Sequence, residues 1–345
     1  MKKEQLRAVL VGCGGISNAW LSANQNIPEL DIVGLVDINQ TAAEDQKNKY
    51  GLLAALTGSN MESVIEQTSP DVVFDCTIPG AHKNVAVTAM QMGCDVLGEK
   101  PLADSLENAR AIVQTMRATG KTHAVMQNRR FLAGSRRMQA FLRSQTIGPL
   151  TNLNADFYIG AHFGGFRDRM EHVLLLDMAI HTIDLGRMLV NANPVSVYCK
   201  EWNPAGSWYD HDASAVAIFE FDNGVIYTYR GSWCAEGLNT SWESDWRAIG
   251  TQGSVLWDGG DQFRIQTVKA AGGFHSEWQD VEMPPLADGV ILGGHEGQIR
   301  SYVQAMLRGE TPETVASDNF KSLAMVFGAI ESAEKNLSVK IEQLD

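Results

Sequence analysis

A carboxylate, an amine and a rigid turn residue stand together at Glu99-Lys100-Pro101, directly after the short apolar run Val96-Leu97. Proline fixes its own φ angle and biases the preceding residue away from helix, which predicts an extended Lys100 at a strand end. In an open parallel sheet, ligands bind at the carboxyl ends of the strands. A lysine there can hold a substrate oxygen or tune a proton transfer, although most lysines are solvated surface charges.

A second group of polar side chains lies in residues 172–187, which form a nearly continuous apolar stretch and predict a buried helix. Asp177, His181 and Asp184 are spaced by four and three residues, which predicts that they share one helix face. Such a stripe is costly unless its members pair with one another or with a ligand. Three interpretations stay open: a core histidine satisfied by aspartates, a metal site, and a general acid or base oriented by a carboxylate. Because no further ligand cluster stands out, no metal is predicted.

Near the start of the chain, the sequence predicts a strand, a glycine turn and a helix, an arrangement that could bind a cofactor for this chemistry. The turn comprises Gly12, Cys13, Gly14, Gly15 and Ile16. Glycine at position 12 permits a tight turn, and Gly14 lets the backbone approach a pyrophosphate that the amides at the helix start would hold. Ser17 stands where a third glycine is usual. The turn predicts a dinucleotide site, although a simple strand–helix turn would have the same pattern.

Asp37 ends the next apolar run, residues 32–36, about 20 residues after the glycines. At that spacing an acidic residue binds the ribose hydroxyls of NAD, whereas a 2′-phosphate would meet like charge. No arginine stands directly beside Asp37. The sequence therefore predicts NAD rather than NADP, the alternative being that Asp37 only caps the following helix.

Apolar strands alternate with helices of ~10–15 residues up to residue 126, which predicts βαβ units and a parallel sheet. Alternating strands dominate afterwards, and Asp222-Asn223-Gly224 predicts a hairpin between two of them. The strands expected in this part are 153–159, 195–200, 214–221, 225–233, 246–249, 254–257 and 263–268. The predicted fold is an α/β Rossmann domain (residues 1–126) followed by an α+β domain with a large, mostly antiparallel sheet (residues 127–345).

Composition limits the class of protein. The 345 residues are 44% hydrophobic and 20% charged, as in a globular protein, and their formal charge of −13 argues against a nucleic-acid partner. The five cysteines lack CxxC spacing and mostly lie in apolar runs, which favours buried thiols in a reducing compartment. Without an apolar run of ~18 residues, no membrane span is expected. The sequence predicts a cytoplasmic protein.

Five segments together resemble the Gfo/Idh/MocA family, the glucose–fructose oxidoreductase and inositol dehydrogenase group. They are residues 12–17 (GCGGIS), residues 77–82, Glu99-Lys100-Pro101, Asn128-Arg129-Arg130-Phe131 and Asp177-x-x-x-His181-x-x-Asp184. The resemblance covers essentially the whole chain. It implies a pyridine-nucleotide oxidoreductase acting on a sugar, a cyclitol or a close derivative, with Lys100, Asp177 and His181 as the catalytic residues.

The resemblance also implies the residues around the two ligands. Those expected at the cofactor, besides the glycine turn and Asp37, are Thr77, Pro79, His82, Glu99, Lys100 and Asn128. Those expected at the substrate are Lys100, Arg129, Arg167, His172, Asp177 and His181. Many relatives have three glycines where this chain has Met170-Glu171-His172, so His172 is expected to reach the substrate. Of the tryptophans in the second domain, one or two at most are expected to do so.

The resemblance leaves two other functions open, and the second sheet predicts an assembly of subunits. Some members of the family keep NAD bound and cleave glycosides by transient oxidation and elimination, and others bind dinucleotide as non-catalytic regulators. The presence of Lys100, Asp177 and His181 argues against a regulator. Strand 214–221 carries apolar residues on both faces, which predicts a homodimer or homotetramer formed through the second sheet.

Overall fold

The computed structural model describes residues 3–344. The strands are β1 (Leu6–Val11), β2 (Leu30–Val36), β3 (Leu56–Gly58), β4 (Val72–Asp75), β5 (Asp95–Gly98), β6 (His123–Val125), β7 (Leu150–Tyr158), β8 (Pro194–Trp202), β9 (Ser214–Phe221), β10 (Ile226–Ser232), β11 (Asp245–Gly250), β12 (Gly253–Trp257), β13 (Phe263–Ala270), β14 (Glu277–Val281) and β15 (Val339–Lys340). The helices are α1 (Ser17–Asn24), α2 (Gln40–Lys49), α3 (Met61–Thr68), α4 (Pro79–Gln91), α5 (Leu106–Thr119), α6 (Ala133–Arg143), α7 (Ile180–Val190), α8 (His295–Arg308) and α9 (Ala316–Lys335).

The described chain divides into two compact units. The first contains residues 3–131 and Ile291–Phe320, and the second contains Leu132–Val290 and Lys321–Gln343. The sequence-based division placed everything after residue 126 in the second domain. The difference at Ile291–Phe320 arises because α8 buries Ile299, Tyr302 and Val303 in the hydrophobic core of the first unit.

The sheet of the first unit has the order β3-β2-β1-β4-β5-β6, and all of its pairings are parallel. Its central strands are almost entirely buried, as a parallel sheet covered on both faces requires. The predicted Rossmann fold is therefore confirmed. The candidate functional residues lie at the carboxyl edge of this sheet. Each of them follows the end of a strand within three residues: Gly12, Asp37, Thr77, Glu99 and Asn128.

The sheet of the second unit has the order β14-β13-β12-β11-β7-β10-β9-β8-β15. Only the β10–β7 pair is parallel among the pairings described, so the predicted mostly antiparallel sheet is confirmed. The predicted hairpin joins β9 to β10, with Gly224 at a φ of +82°. Helix α7 approaches this sheet closely at Gly186, where a Cβ atom would lie 2.5 Å from the Tyr227 ring. No helix of the described residues has both the length and the apolarity needed to cross a membrane.

Candidate active site

The glycine turn has room for a ligand on one side and none on the other. Gly12 adopts a φ of +93°, and a Cβ there would lie 2.6 Å from the carbonyl oxygen of Cys76. At Gly14 and Gly15, by contrast, an added Cβ would meet nothing within 4 Å. Ser17 Oγ is buried and donates to the Gly14 carbonyl at 2.6 Å, so serine fits in the place of the third glycine. The turn thus fits the diphosphate of a dinucleotide.

Asp37 is joined to this turn by a hydrogen bond. Its Oδ2 accepts from the backbone N–H of Cys13 at 2.7 Å, while Oδ1 accepts from the N–H of Asn39 at 2.8 Å. The N-cap of α2 is Asn39 itself, and no side chain makes a capping bond there. Asp37 is therefore not the cap of α2, and its hydrogen bond from Cys13 fixes its carboxylate beside the glycine turn.

A buried carboxylate orients the segment after β4. Asp75 is fully buried and accepts from Thr77 Oγ1 at 2.6 Å and from the Thr77 N–H at 3.0 Å. His82, in the first turn of α4, places Nδ1 2.8 Å from Asp75 Oδ2. The other ring nitrogen, Nε2, is buried and has no hydrogen-bond partner among the described residues. β4 pairs with β1, the strand that the glycine turn follows. A buried ring nitrogen without a partner, near the end of β4, fits a site that a ligand completes. Asp75 is not among the site residues predicted from the sequence, although it is the only charged residue of β4.

Glu99 points into the first unit. Its side chain is buried, Oε1 accepts from the indole N–H of Trp20 at 2.7 Å, and Oε2 accepts from the Lys100 N–H at 3.2 Å. His295 of α8 brings Nε2 to 3.6 Å from Glu99 Oε1 and Nδ1 to 3.3 Å from the amide of Asn128. Lys100 itself is half-buried. Trp20 and His295 were not singled out by sequence because they lie far from Glu99 along the chain.

In the second unit, Asp177 is paired with an arginine. Arg167 Nε donates to Asp177 Oδ2 at 2.6 Å. The guanidinium carbon of Arg167 lies 5.1 Å from the ring centre of Phe163 and 4.8 Å from that of Phe166, and such cation–π contacts fix its orientation. Arg167 thus holds the Asp177 carboxylate in place, and the two side chains form one ion pair.

The predicted polar stripe needs a correction. Leu174–Ala179 forms a π-helical turn before α7 begins at Ile180, so the regular helical spacing does not run through Asp177. Asp184 is buried and accepts from Ser322 Oγ at 2.6 Å, with Arg187 Nη2 at 3.9 Å. Asp184 therefore belongs to a core network, whereas Asp177 is bound to Arg167 and half-buried His181 lies in the first turn of α7.

His172, which is expected to reach the substrate, lies among carboxylates in this structure. Its Nδ1 lies 2.6 Å from Glu201 Oε2 and its Nε2 lies 3.7 Å from Glu334, so both ring nitrogens face carboxylates of the second unit. Its φ of +50° is a left-handed conformation that glycine adopts without strain, in agreement with the glycines expected here in relatives. The hydrogen bond to Glu201 raises the pKa of His172 above the usual histidine value, against the opposing effect of burial.

This raised pKa predicts a pH-dependent stability. Because the folded-state pKa of His172 is above its unfolded value, its contribution to the free energy of unfolding is complete below pH ~6.5 and is lost as pH rises through the folded pKa. We expect that part of the pH dependence to be absent in His172→Gln. Urea unfolding of both proteins between about pH 5 and 9 measures it, with His211→Gln as the control. If the free energy of unfolding depends on pH in the same way in the wild type and in His172→Gln, the assignment of this pH dependence to His172 is contradicted.

The aromatic residues of the second unit differ in burial. Trp233, Trp246 and Tyr209 are buried, whereas Trp202 and Trp242 are exposed. Asn128 and Arg129 lie in the short 3-10 helix Asn128–Phe131 of the first unit. Among residues 3–344, no cluster of three or more histidines, cysteines, aspartates or glutamates could hold a metal ion.

Two family models match the chain. The model described as "Oxidoreductase family, NAD-binding Rossmann fold" matches residues 6–127, and the GFO/IDH/MocA C-terminal domain matches residues 135–256. The chain belongs to the Gfo/Idh/MocA family. Its first unit is an NAD-binding Rossmann domain, and the prediction of an NAD-binding oxidoreductase is confirmed.

Proteins named for oxidoreductions of sugars and cyclitols are similar to this chain over nearly its full length. The 1,5-anhydro-D-fructose reductase of Ensifer adhaerens is 22% identical over 96% of this chain and 98% of its own. The myo-inositol 2-dehydrogenase of Thermotoga maritima is 20% identical over 98% of this chain and 99% of its own. A solved structure of levoglucosan dehydrogenase with NADH and L-sorbose has a TM-score of 0.82 at 19% identity, covering 99% of this chain and 100% of that one. This structural similarity concerns the fold.

Proposed function

We propose that this oxidoreductase transfers hydride between NAD and the hydroxyl-bearing carbon of a sugar, a cyclitol or a sugar derivative. The observation that carries the proposal is that the first unit has Lys100 directly after the carboxyl end of β5, while the second unit has His181 in the first turn of α7 and an Asp177 carboxylate held by Arg167. The relatives named for an anhydrosugar and for inositol support the substrate class.

The proposed roles follow from charge and hydrogen-bonding capacity. His181 accepts the proton of the substrate hydroxyl on oxidation and returns it on reduction. Lys100, as a cation, stabilises the negative charge that develops on that oxygen. Asp177, fixed by the hydrogen bond from Arg167, orients His181 or a neighbouring substrate hydroxyl.

The cofactor would be held by the carboxyl edge of the first sheet. Gly12, Gly14, Gly15 and Ile16 would receive the diphosphate, and Asp37 the ribose hydroxyls. The residues proposed to surround the nicotinamide end are Thr77, Pro79, His82, Glu99, Lys100 and Asn128. When bound, the nicotinamide supplies the hydride acceptor or donor.

The preference for NAD can be tested at Asp37. In Asp37→Asn one oxygen still accepts from the Cys13 N–H, so the turn is preserved while the charge is removed. We expect the Kd for NAD to rise by about 10-fold, because a hydrogen bond to a charged group contributes about 1.5–3 kcal/mol, part of which the amide retains. The Kd for NADP should fall, since like-charge repulsion is removed. Titration calorimetry of both proteins with both nucleotides measures this, and an unchanged ratio of the two Kd values would contradict the role of Asp37.

The proposed reaction is tested with a panel of sugars, cyclitols, anhydrosugars and glycosides. The absorbance of NADH reports net oxidation, and release of the free glycone is followed in the same wells. Net NADH formation with a free polyol supports the dehydrogenase. Glycone release without NADH formation would instead indicate a glycoside hydrolase, and nucleotide binding with no turnover would indicate a regulator.

Self-association is proposed on the basis of the second sheet. Tyr198, Trp202 and Ile218 on β8 and β9 are exposed by 40–44% of their surfaces, an apolar content that suits a subunit interface. We expect sedimentation velocity to show a dimer or tetramer, and Ile218→Lys to shift it toward the monomer. The exposed Phe274→Lys is the control. A wild-type monomer at working concentrations would contradict the proposal.

A further inference from the structure

A buried bridge of side chains connects α1, the end of β5 and α8 within the first unit. Its centre is Glu99, whose side chain is only 8% exposed. Trp20 Nε1 donates to Glu99 Oε1 at 2.7 Å, and His295 Nε2 lies 3.6 Å from the same oxygen. Glu99 Oε2 accepts from the N–H of Lys100 at 3.2 Å, so the bridge ends on the backbone of the proposed catalytic lysine.

The contacts of His295 indicate which of its ring nitrogens carries the proton. Asn128 Nδ2 is 3.3 Å from His295 Nδ1, and an amide N–H can donate only to a ring nitrogen that carries no proton. The proton of the neutral ring is then on Nε2, which faces the Glu99 carboxylate. This tautomer satisfies both contacts at once, because an acceptor faces the amide and a donor faces the carboxylate.

The helix that carries His295 is itself anchored to the first unit. Glu296 accepts from Asn26 Nδ2 at 2.8 Å and from Arg300 Nη2 at 2.9 Å, and Arg300 also donates to the Asn26 carbonyl at 2.7 Å. Further along α8, Gln298 donates to Thr314 Oγ1 at 2.8 Å. His295 therefore approaches Glu99 from a rigid element.

We propose that Trp20 and His295 are positioning residues, which fix Lys100 through the carboxylate of Glu99. The inference rests on the proposed function, because it assumes that Lys100 acts on the substrate. A buried carboxylate requires polar partners, and two of them come from outside the segment that carries Lys100. Trp20 of α1 donates a hydrogen bond, and His295 of α8 lies at ion-pair distance. Removing one of them lets Glu99 turn away and releases the backbone of Lys100, and a displacement of about 1 Å is enough to lower a rate by about 10²-fold.

The test compares Trp20→Phe and His295→Leu with Trp257→Phe. The control also deletes one indole hydrogen bond of a buried tryptophan, from Trp257 Nε1 to the Gly260 carbonyl at 2.8 Å, in the second unit. The first measurement needs no substrate: the rate of reductive methylation of Lys100, followed by peptide mass spectrometry from about pH 7 to 10 in protein without nucleotide. The second is the kcat and KM for whichever polyol of the panel is oxidised.

We expect Trp20→Phe and His295→Leu to change the methylation rate of Lys100 several-fold and to lower kcat by about 10- to 100-fold, with the KM for the polyol changed less than about threefold. Trp257→Phe should leave both quantities near the wild-type values. Equal methylation and kcat in Trp20→Phe and Trp257→Phe would overturn the inference, and a Trp20→Phe protein that fails to fold leaves His295→Leu to decide. If the wild type oxidises no polyol, the proposed function fails, and the methylation rates still decide whether the bridge fixes Lys100.

Discussion

His181→Ala is expected to lower kcat by about 10²- to 10⁴-fold, the contribution typical of a positioned general acid or base. The hydroxyl proton has to leave as hydride departs from the same carbon, and without the imidazole it would pass to water. The KM for the substrate should change much less than kcat, because the lost interaction develops in the transition state. Steady-state kinetics with the best polyol of the panel gives both values.

His162→Ala is the matched control for this variant. His162 is an exposed histidine of the same unit, stacked on Trp208 at 3.6 Å and paired with Glu236 at 2.8 Å, and it has no proposed catalytic role. Its kcat should remain within a few-fold of the wild type. The same small change in His181→Ala would show that another group moves the proton.

Much of the first unit could be predicted because its information is local. The glycine turn follows a buried strand within a few residues, and Asp37 stands at the end of the next strand, so short patterns specify both. Parallel order then places strand ends at one edge of the sheet, which brings Gly12, Asp37, Thr77, Glu99 and Asn128 to the same side. The pattern required no knowledge of distant contacts.

The partners of the buried polar groups could not be predicted in this way. Glu99 accepts a hydrogen bond from Trp20 and lies beside His295, and Asp184 accepts one from Ser322. Each of these partners lies far away along the chain. Periodicity assigns a residue to a helix face but does not say what packs against that face. For the same reason α8 was placed in the wrong unit, since nothing local shows that its apolar face joins the first core.

The helix around the Asp177 motif shows a different limit. A spacing of four and three residues predicts one face only if the helix is regular, and the π-helical turn Leu174–Ala179 breaks that regularity at Asp177. Likewise, the left-handed backbone at His172 became evident only with the fold, which turns its ring toward Glu201. π-Helical turns occur frequently at functional sites, so the irregularity itself is in keeping with the proposed role of Asp177.

Lys100→Met should lower kcat by about 10²- to 10³-fold, the loss typical when one donor to a developing oxyanion is removed. Methionine keeps the unbranched stem of the side chain up to the position of Cε but lacks the amine, so it has no charge or donor. Lys100→Arg should recover only part of the loss, because a guanidinium keeps the charge but presents it in a different geometry. Lys269→Met, at an exposed position of β13, is the matched control and should remain near the wild type.

The two variants together separate charge stabilisation from proton transfer. If Lys100 only stabilises charge, Lys100→Met should reduce kcat without altering the shape of its dependence on pH, whereas His181→Ala should change that shape. If Lys100→Met changes the shape and His181→Ala does not, the lysine is the group that moves the proton and His181 orients the substrate. A Lys100→Met enzyme with wild-type kcat would exclude both roles for the lysine, because a cation that contacts the reacting oxygen cannot be deleted without cost to the transition state.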